Sequence, residues 1–187
     1  MKSFMMNTLS VTFFYVAVYA FITESPVIYI RHFGIDPQYY GLFFGVNIIG
    51  VAAVSYFNRM FVTHFSLSRL LKAATSIAAL FSLWLLADGL TGMLGLWGIA
   101  IPMFLVCSTN GIITACSNAA ALSKVPDEIT GSAAALIGAL QYGSGMISSA
   151  LLAVFSDGTP VAMCCIITGF VLLAAVFAFA AGKFVRA

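Results

Sequence analysis

The chain has 187 residues, of which 62% are hydrophobic and only 7% charged, and its formal net charge is +2. A soluble domain carries about 25% charged residues, so no water-soluble core and shell can accommodate this sequence. So small a net charge gives no footprint for nucleic acid; what carries information is where each charge sits.

Six apolar runs follow one another: Leu9–Ile30, Tyr40–Phe57, Leu70–Leu86, Leu94–Leu122, Ala133–Phe155 and Val161–Ala181. Each is about the length that a helix needs to cross the roughly 30 Å hydrocarbon core of a bilayer. The expected fold is an all-α membrane protein, one bundle of six transmembrane helices over residues 1–187. The first run has no small-residue cleavage site after it and reads as a permanent helix rather than a removable signal. In it, Thr12, Tyr15, Tyr19 and Thr23 recur at three- and four-residue steps and share one helix face. Glu24 follows, in Thr23-Glu24-Ser25-Pro26, as the one carboxylate expected inside the membrane. Pro26 interrupts the helical hydrogen-bond ladder there. An acid at such depth is a candidate proton relay or counter-charge for a cation, unless it lies at the outer water interface.

The second run contributes Asn47, with Gly41, Gly45 and Gly50 around it. The third is nearly free of polar groups. The fourth holds Asn110, Thr114, Ser117 and Asn118, and Pro102 is expected to kink it. The fifth places Gln141, Ser144 and Ser148 on one face with Ala134, Gly138 and Gly145. The sixth has Thr168 and little else. Polar groups in lipid must face protein or water, so runs one, two, four and five are expected to line a polar cavity and runs three and six to face lipid. Interhelical hydrogen bonding alone, worth about 0.6 kcal/mol per residue on average, explains any single polar residue but not four stripes. Gly45-Val-Asn47-Ile-Ile-Gly50 and Gly138-Ala-Leu-Gln141-Tyr-Gly143 have the same glycine spacing around an amide. Each lies in the second helix of a three-helix half, as in a three-plus-three inverted repeat; close packing through small residues gives the same pattern without a function.

The connections are short turns: Asp88-Gly89-Leu90-Thr91-Gly92, Pro126-Asp127-Glu128 and Ser156-Asp157-Gly158-Thr159-Pro160. With the N-terminus in the cytoplasm, Lys2, Arg59, Arg69, Lys72, Lys124, Lys183 and Arg186 fall inside and only Arg31 outside, while Asp36, Asp88 and Asp157 mark the outer loops. That bias places both termini in the cytoplasm and makes any self-assembly parallel. Trp84, Trp97, Tyr39 and Tyr40 fit anchors at the membrane surface. Cys107, Cys116, Cys164 and Cys165 all lie in apolar runs and read as packing residues, not as disulfide partners or metal ligands. Neither a metal nor a cofactor is expected.

Several stretches resemble the C-terminal half of the Bcr/CflA group of drug-resistance transporters in the major facilitator superfamily. They are Ser25-Pro26-Val-Ile-Tyr29-Ile, Phe33-Gly34-Ile-Asp-Pro37, Tyr40-Gly41-Leu-Phe43-Phe, Asn47-Ile, Phe57-Asn58-Arg59, Ser117-Asn118-Ala-Ala-Ala and Gly131-Ser-Ala-Ala-Ala-Leu-Ile-Gly138-Ala-Leu-Gln141-Tyr-Gly143. The resemblance implies proton-coupled export of small hydrophobic or cationic compounds by two six-helix halves rocking about a central site, lined by helices one, two, four and five of each half. It also implies the bacterial inner membrane. Members have twelve helices, and the half with no counterpart here usually carries the coupling acid and a glycine-rich gating loop, of which Asn58–Arg69 is a degenerate relation. Glu24 stands where the family has a small residue, so the resemblance assigns it no role.

A six-helix unit cannot enclose a two-sided cavity. It is therefore expected to form a parallel homodimer, to join a separate N-terminal half, or to be an inactive fragment or assembly partner of a full-length transporter. Other classes fit less well. An intramembrane serine protease needs a serine and a histidine within reach, but Gly143-Ser144-Gly145 is preceded by Tyr142 where a glycine is needed, and His32 and His64 are expected on opposite sides of the membrane. No charge ring or carbonyl filter marks a channel.

Overall fold

A computed structural model describes residues 2–123 and 125–184, with the side chains of residues 183 and 184 outside the description. Lys124 and Arg186, two of the cations used to orient the chain, therefore lie outside the described residues, as does the side chain of Lys183. The described chain is helical throughout, without a strand: α1 (Lys2–Pro26), a π-helical segment (Val27–His32), α2 (Pro37–His64), α3 (Leu67–Thr91), α4 (Gly95–Ser108), α5 (Asn110–Leu122), a single 3₁₀ turn, α6 (Thr130–Phe155) and α7 (Pro160–Phe184). With α4 and α5 forming one span, six helices are long and apolar enough to cross a membrane.

The helices outrun the apolar stretches because capping groups, not hydropathy, end them. Asp36 caps α2 by accepting the Gln38 N–H at 3.2 Å, with Pro37 at the first helical position, where its missing N–H is no loss. α3 stops at Gly92, left-handed at φ +65°, whose N–H closes on the Asp88 carbonyl as such C-terminal glycines do. Pro26 does not end the first helix. The ladder loses a donor there and continues in wider π turns, with the Phe33 N–H on the Ile28 carbonyl at 3.0 Å.

The fourth span divides at Thr109 rather than at Pro102, which lies within α4. The Ser108 and Thr109 hydroxyls donate back to the Phe104 and Val106 carbonyls, each at 2.7 Å. Such back-bonding competes with the helical ladder and bends it.

α1 runs through the centre, packed on α7, α6 and α5, while α3 packs on α7 and α4, and α2 rests on α4 and α5. Small residues set these distances. Ala17, Ala20, Ala74, Ala78, Ala174 and Ala178 are all buried in the core where α7 packs on α1 and on α3. The Ser10 hydroxyl donates to the Ala174 carbonyl at 2.8 Å, and the Thr168 hydroxyl to the Ser82 carbonyl at 2.7 Å. Gly50 and Gly111 serve α2 in the same way: a Cβ on Gly50 would run into Ser108 and Phe104, and one on Gly111 into Ser55 and the α2 backbone.

The third and sixth apolar runs were expected to be the lipid-facing pair. Within this one half α2 and α6 are the least covered spans, with 11% and 28% of their apolar windows buried, and α3 and α7 are also mostly uncovered, at 33% and 39%. The alanines of α3 and α7 are apolar yet small, and small side chains allow these two helices to pack closely. Asp88, read as an outer-loop residue, belongs to the last turn of α3. It is buried, and its Oδ1 accepts the Leu94 N–H at 2.8 Å, ahead of α4.

Candidate functional site

Several polar residues of the four striped helices fall along one irregular seam. At one part of it, α1, α2, α4 and α5 surround a cavity of ≈ 220 Å³ lined by Phe21, Phe44, Val51 and Cys107, with two amides, Asn47 and Asn110. Asn47 is buried. Its Nδ2 donates to the Phe43 carbonyl at 2.8 Å, while its Oδ1 has no hydrogen-bond partner. Asn47 also lines a second cavity, ≈ 350 Å³, between α2 and α4, with Tyr29, Phe43 and Trp97. A buried amide oxygen without a donor is costly, and the residue that carries it lines both cavities.

From Asn110 the seam continues along α5. The Thr114 hydroxyl donates to Asn110 Oδ1 at 2.7 Å, and one turn further Asn118 Oδ1 accepts the Gln141 Nε2–H at 2.9 Å, joining α5 to α6. Asn110, Thr114 and Asn118 are half-buried, Gln141 buried. On α6, Ser144 is buried and donates to its own helix at the Gln141 carbonyl. Opposite, the half-buried Tyr19 ring lies on Gly145. Tyr15 stands 6.0 Å from Tyr19 and 6.4 Å, edge-on, from Tyr142.

Three expected members stand apart. Thr23 is exposed. Ser117 is fully buried, its hydroxyl unpartnered. Glu24 lines none of these cavities. It is 6% exposed, and its Oε1 accepts a very short hydrogen bond from the Ser156 hydroxyl at the end of α6. The next residue, Ser25, shares a hydrogen bond with the Tyr40 hydroxyl of α2 at 2.8 Å. Two consecutive α1 residues thus tie it to α6 and α2, directly before the π-helical segment, a feature frequent at functional sites.

The sequence reading missed Tyr142, Ser156 and Asn58. Tyr142 adds a third tyrosine to the pair on α1. Asn58 is buried in α2 and accepts the Cys116 Sγ–H at 3.8 Å. Tyr142 had a usable signal, since it adjoins Gln141 on a striped helix. Ser156 had none, because its partner is 132 residues away. Among the described residues no His, Cys, Asp and Glu cluster could hold a metal.

Two curated proteins are similar to the chain. A bicyclomycin resistance protein homolog of Haemophilus influenzae is 31% identical over 142 residues, 76% of this chain and 35% of that protein. An uncharacterized MFS-type transporter of Bacillus subtilis, YdgK, is 28% identical over 154 residues, 82% of this chain and 38% of that protein. The matched stretch thus covers little more than a third of each relative. No family model matches the chain, and no solved structure does so significantly. With its six apolar helices and these two relatives, the chain matches one half of a Bcr/CflA-type transporter of the major facilitator superfamily.

Proposed function

We propose that the chain is the C-terminal half of a proton-coupled exporter of small hydrophobic or cationic compounds. It acts in the bacterial inner membrane with both termini cytoplasmic, joined either to a separate N-terminal half or to a second copy of itself in parallel. One observation carries this reading: Asn47, whose buried amide oxygen has no partner, lines with Asn110 a small, mainly apolar cavity between the helices that bear the polar stripes. A few placed polar groups in a mainly apolar pocket suit an apolar ligand with one N–H or O–H donor. The tyrosines farther along the seam offer ring faces, which attract cations.

In this reading the proton binds at Glu24. The ionised carboxylate accepts from Ser156, and the protonated acid also has a proton of its own to donate. Uptake therefore alters the tie between α1 and the end of α6. Alternating access follows if that tie holds in only one of the two orientations, so that the proton biases the equilibrium between them.

The test is efflux and drug susceptibility in cells expressing the chain alone or with the N-terminal half of the Haemophilus relative. Export in either case, lost with Glu24→Gln and retained with Thr23→Ala, supports the assignment. Unchanged proton-driven export by Glu24→Gln removes that residue from coupling. A strict monomer without export in both backgrounds leaves the inactive fragment or assembly partner as the better reading.

A further inference from the structure

α2 and α3 are successive in the chain but scarcely meet. Between them lies a groove of ≈ 480 Å³, walled by Val54 and Phe61 of α2, Phe65 just after it, and Ala73 and Ile77 of α3, with Ile112 of α5 behind. Its floor offers no free polar group, since Ser108 and Thr109 both spend their hydroxyl protons on carbonyls of their own helix. At 1.5 Å per residue, the α2 wall from Val54 to the helix end at His64 is about 15 Å long and the α3 wall from Arg69 to Ile77 about 12 Å. One leaflet of hydrocarbon is about 15 Å deep, so the groove spans a single leaflet and ends near the midplane.

Its mouth is basic. Arg69 lines the groove and is exposed. α2, α4 and α5 contain no acid, and the one acid of α3, Asp88, lies at the far end of that helix. Arg69 also stands in the first turn of α3, where the Ser66 side chain makes no capping bond, and an uncapped helix N-terminus favours an anion. An apolar slot one leaflet deep, opening on a guanidinium and a helix N-terminus, matches a lipid with a phosphate head. Basic recesses between transmembrane helices are known to recognise anionic headgroups.

We propose that this groove holds an acyl chain of an anionic phospholipid whose phosphate is bound by Arg69 at the N-terminus of α3. The site is separate from the polar seam and stands whether or not the chain exports anything. The test uses the full chain in phosphatidylcholine nanodiscs with or without phosphatidylglycerol, followed by native mass spectrometry of the lipid retained after gentle delipidation. Wild-type protein should retain phosphatidylglycerol over phosphatidylcholine and unfold at a higher temperature when it is present. Losing one charge-assisted phosphate contact should weaken that retention about tenfold or more in Arg69→Gln. Ala73→Trp, which fills the groove, should reduce it with Arg69 intact, and Arg31→Gln should not change it. Equal retention by wild type and Arg69→Gln overturns the proposal. So does the same stabilisation by soluble glycerol phosphate in phosphatidylcholine alone, which would mean a free-anion site, or a doubled mass with no retained lipid, which would mean that a second copy covers the groove.

Discussion

Among the residues of the seam, Asn47 separates folding from function most cleanly. Its Nδ2 bonds only to a carbonyl one turn back, and its Oδ1 bonds to nothing. Replacing a buried polar group that lacks a partner by an apolar one of similar shape is nearly neutral or stabilising. Asn47→Leu should therefore keep or raise thermal stability while weakening substrate binding, read by thermal unfolding and by substrate-quenched tryptophan fluorescence. A joint loss of both would make Asn47 a packing residue. Gln141→Ala should behave differently. It removes the bond to Asn118 and should cost about 0.6 kcal/mol, the average for an interhelical bond in a membrane, measured by unfolding in mild detergent.

At the scale of elements, the docking of α2 rests on glycines. A Cβ at Gly111 meets the backbone of α2 as well as Ser55, and a backbone cannot step aside as a flexible side chain can. Gly111→Val should destabilise by about 1–3 kcal/mol, as overpacking does. Gly138→Ala, on α6 with open space around it, should be neutral or stabilise by up to about 1 kcal/mol because alanine loses less freedom in a helix. Equal effects of the two would contradict the packing described. The turn before α7 gives a pH dependence. The Thr159 hydroxyl and N–H donate to Asp157 Oδ1 at 2.6 and 2.9 Å and hold this exposed carboxyl below the usual carboxylate range. A depressed folded-state value means that the contribution is fully present above the unfolded value of about 3.9. It is lost as pH falls through the folded value. Asp157→Asn keeps an acceptor but does not titrate, so it should flatten the acid side of the stability profile, read by unfolding temperature against pH.

For the whole molecule, the open question is what covers α2 and α6. Leu42, Ile49 and Tyr56 of α2 and Tyr142, Met146 and Val154 of α6 are exposed. If a second copy covers them, native mass spectrometry from membranes should give twice the chain mass, and cysteine pairs placed at equivalent α6 positions should cross-link in parallel. A monomer that becomes a stable complex only when an N-terminal half is co-expressed points to the split arrangement.

Hydropathy alone was enough to set the solvent, the number of spans and the all-helical class, because in lipid every backbone polar group must be bonded within its own segment and a helix achieves this with local bonds. The pairing of an amide with apolar space at Asn47 was partly visible, since a lone amide in an apolar run is costly wherever it sits. Its neighbours were not visible. Which faces of six helices meet depends on side-chain volume across contacts between residues far apart in the chain. Small alanines draw α7 onto both α1 and α3, the fourth span breaks at Thr109, and Ser156 comes to Glu24 from 132 residues away in the chain. Local chemistry wrote the helices; only the fitting of their surfaces decided which polar groups became neighbours and which acid became buried.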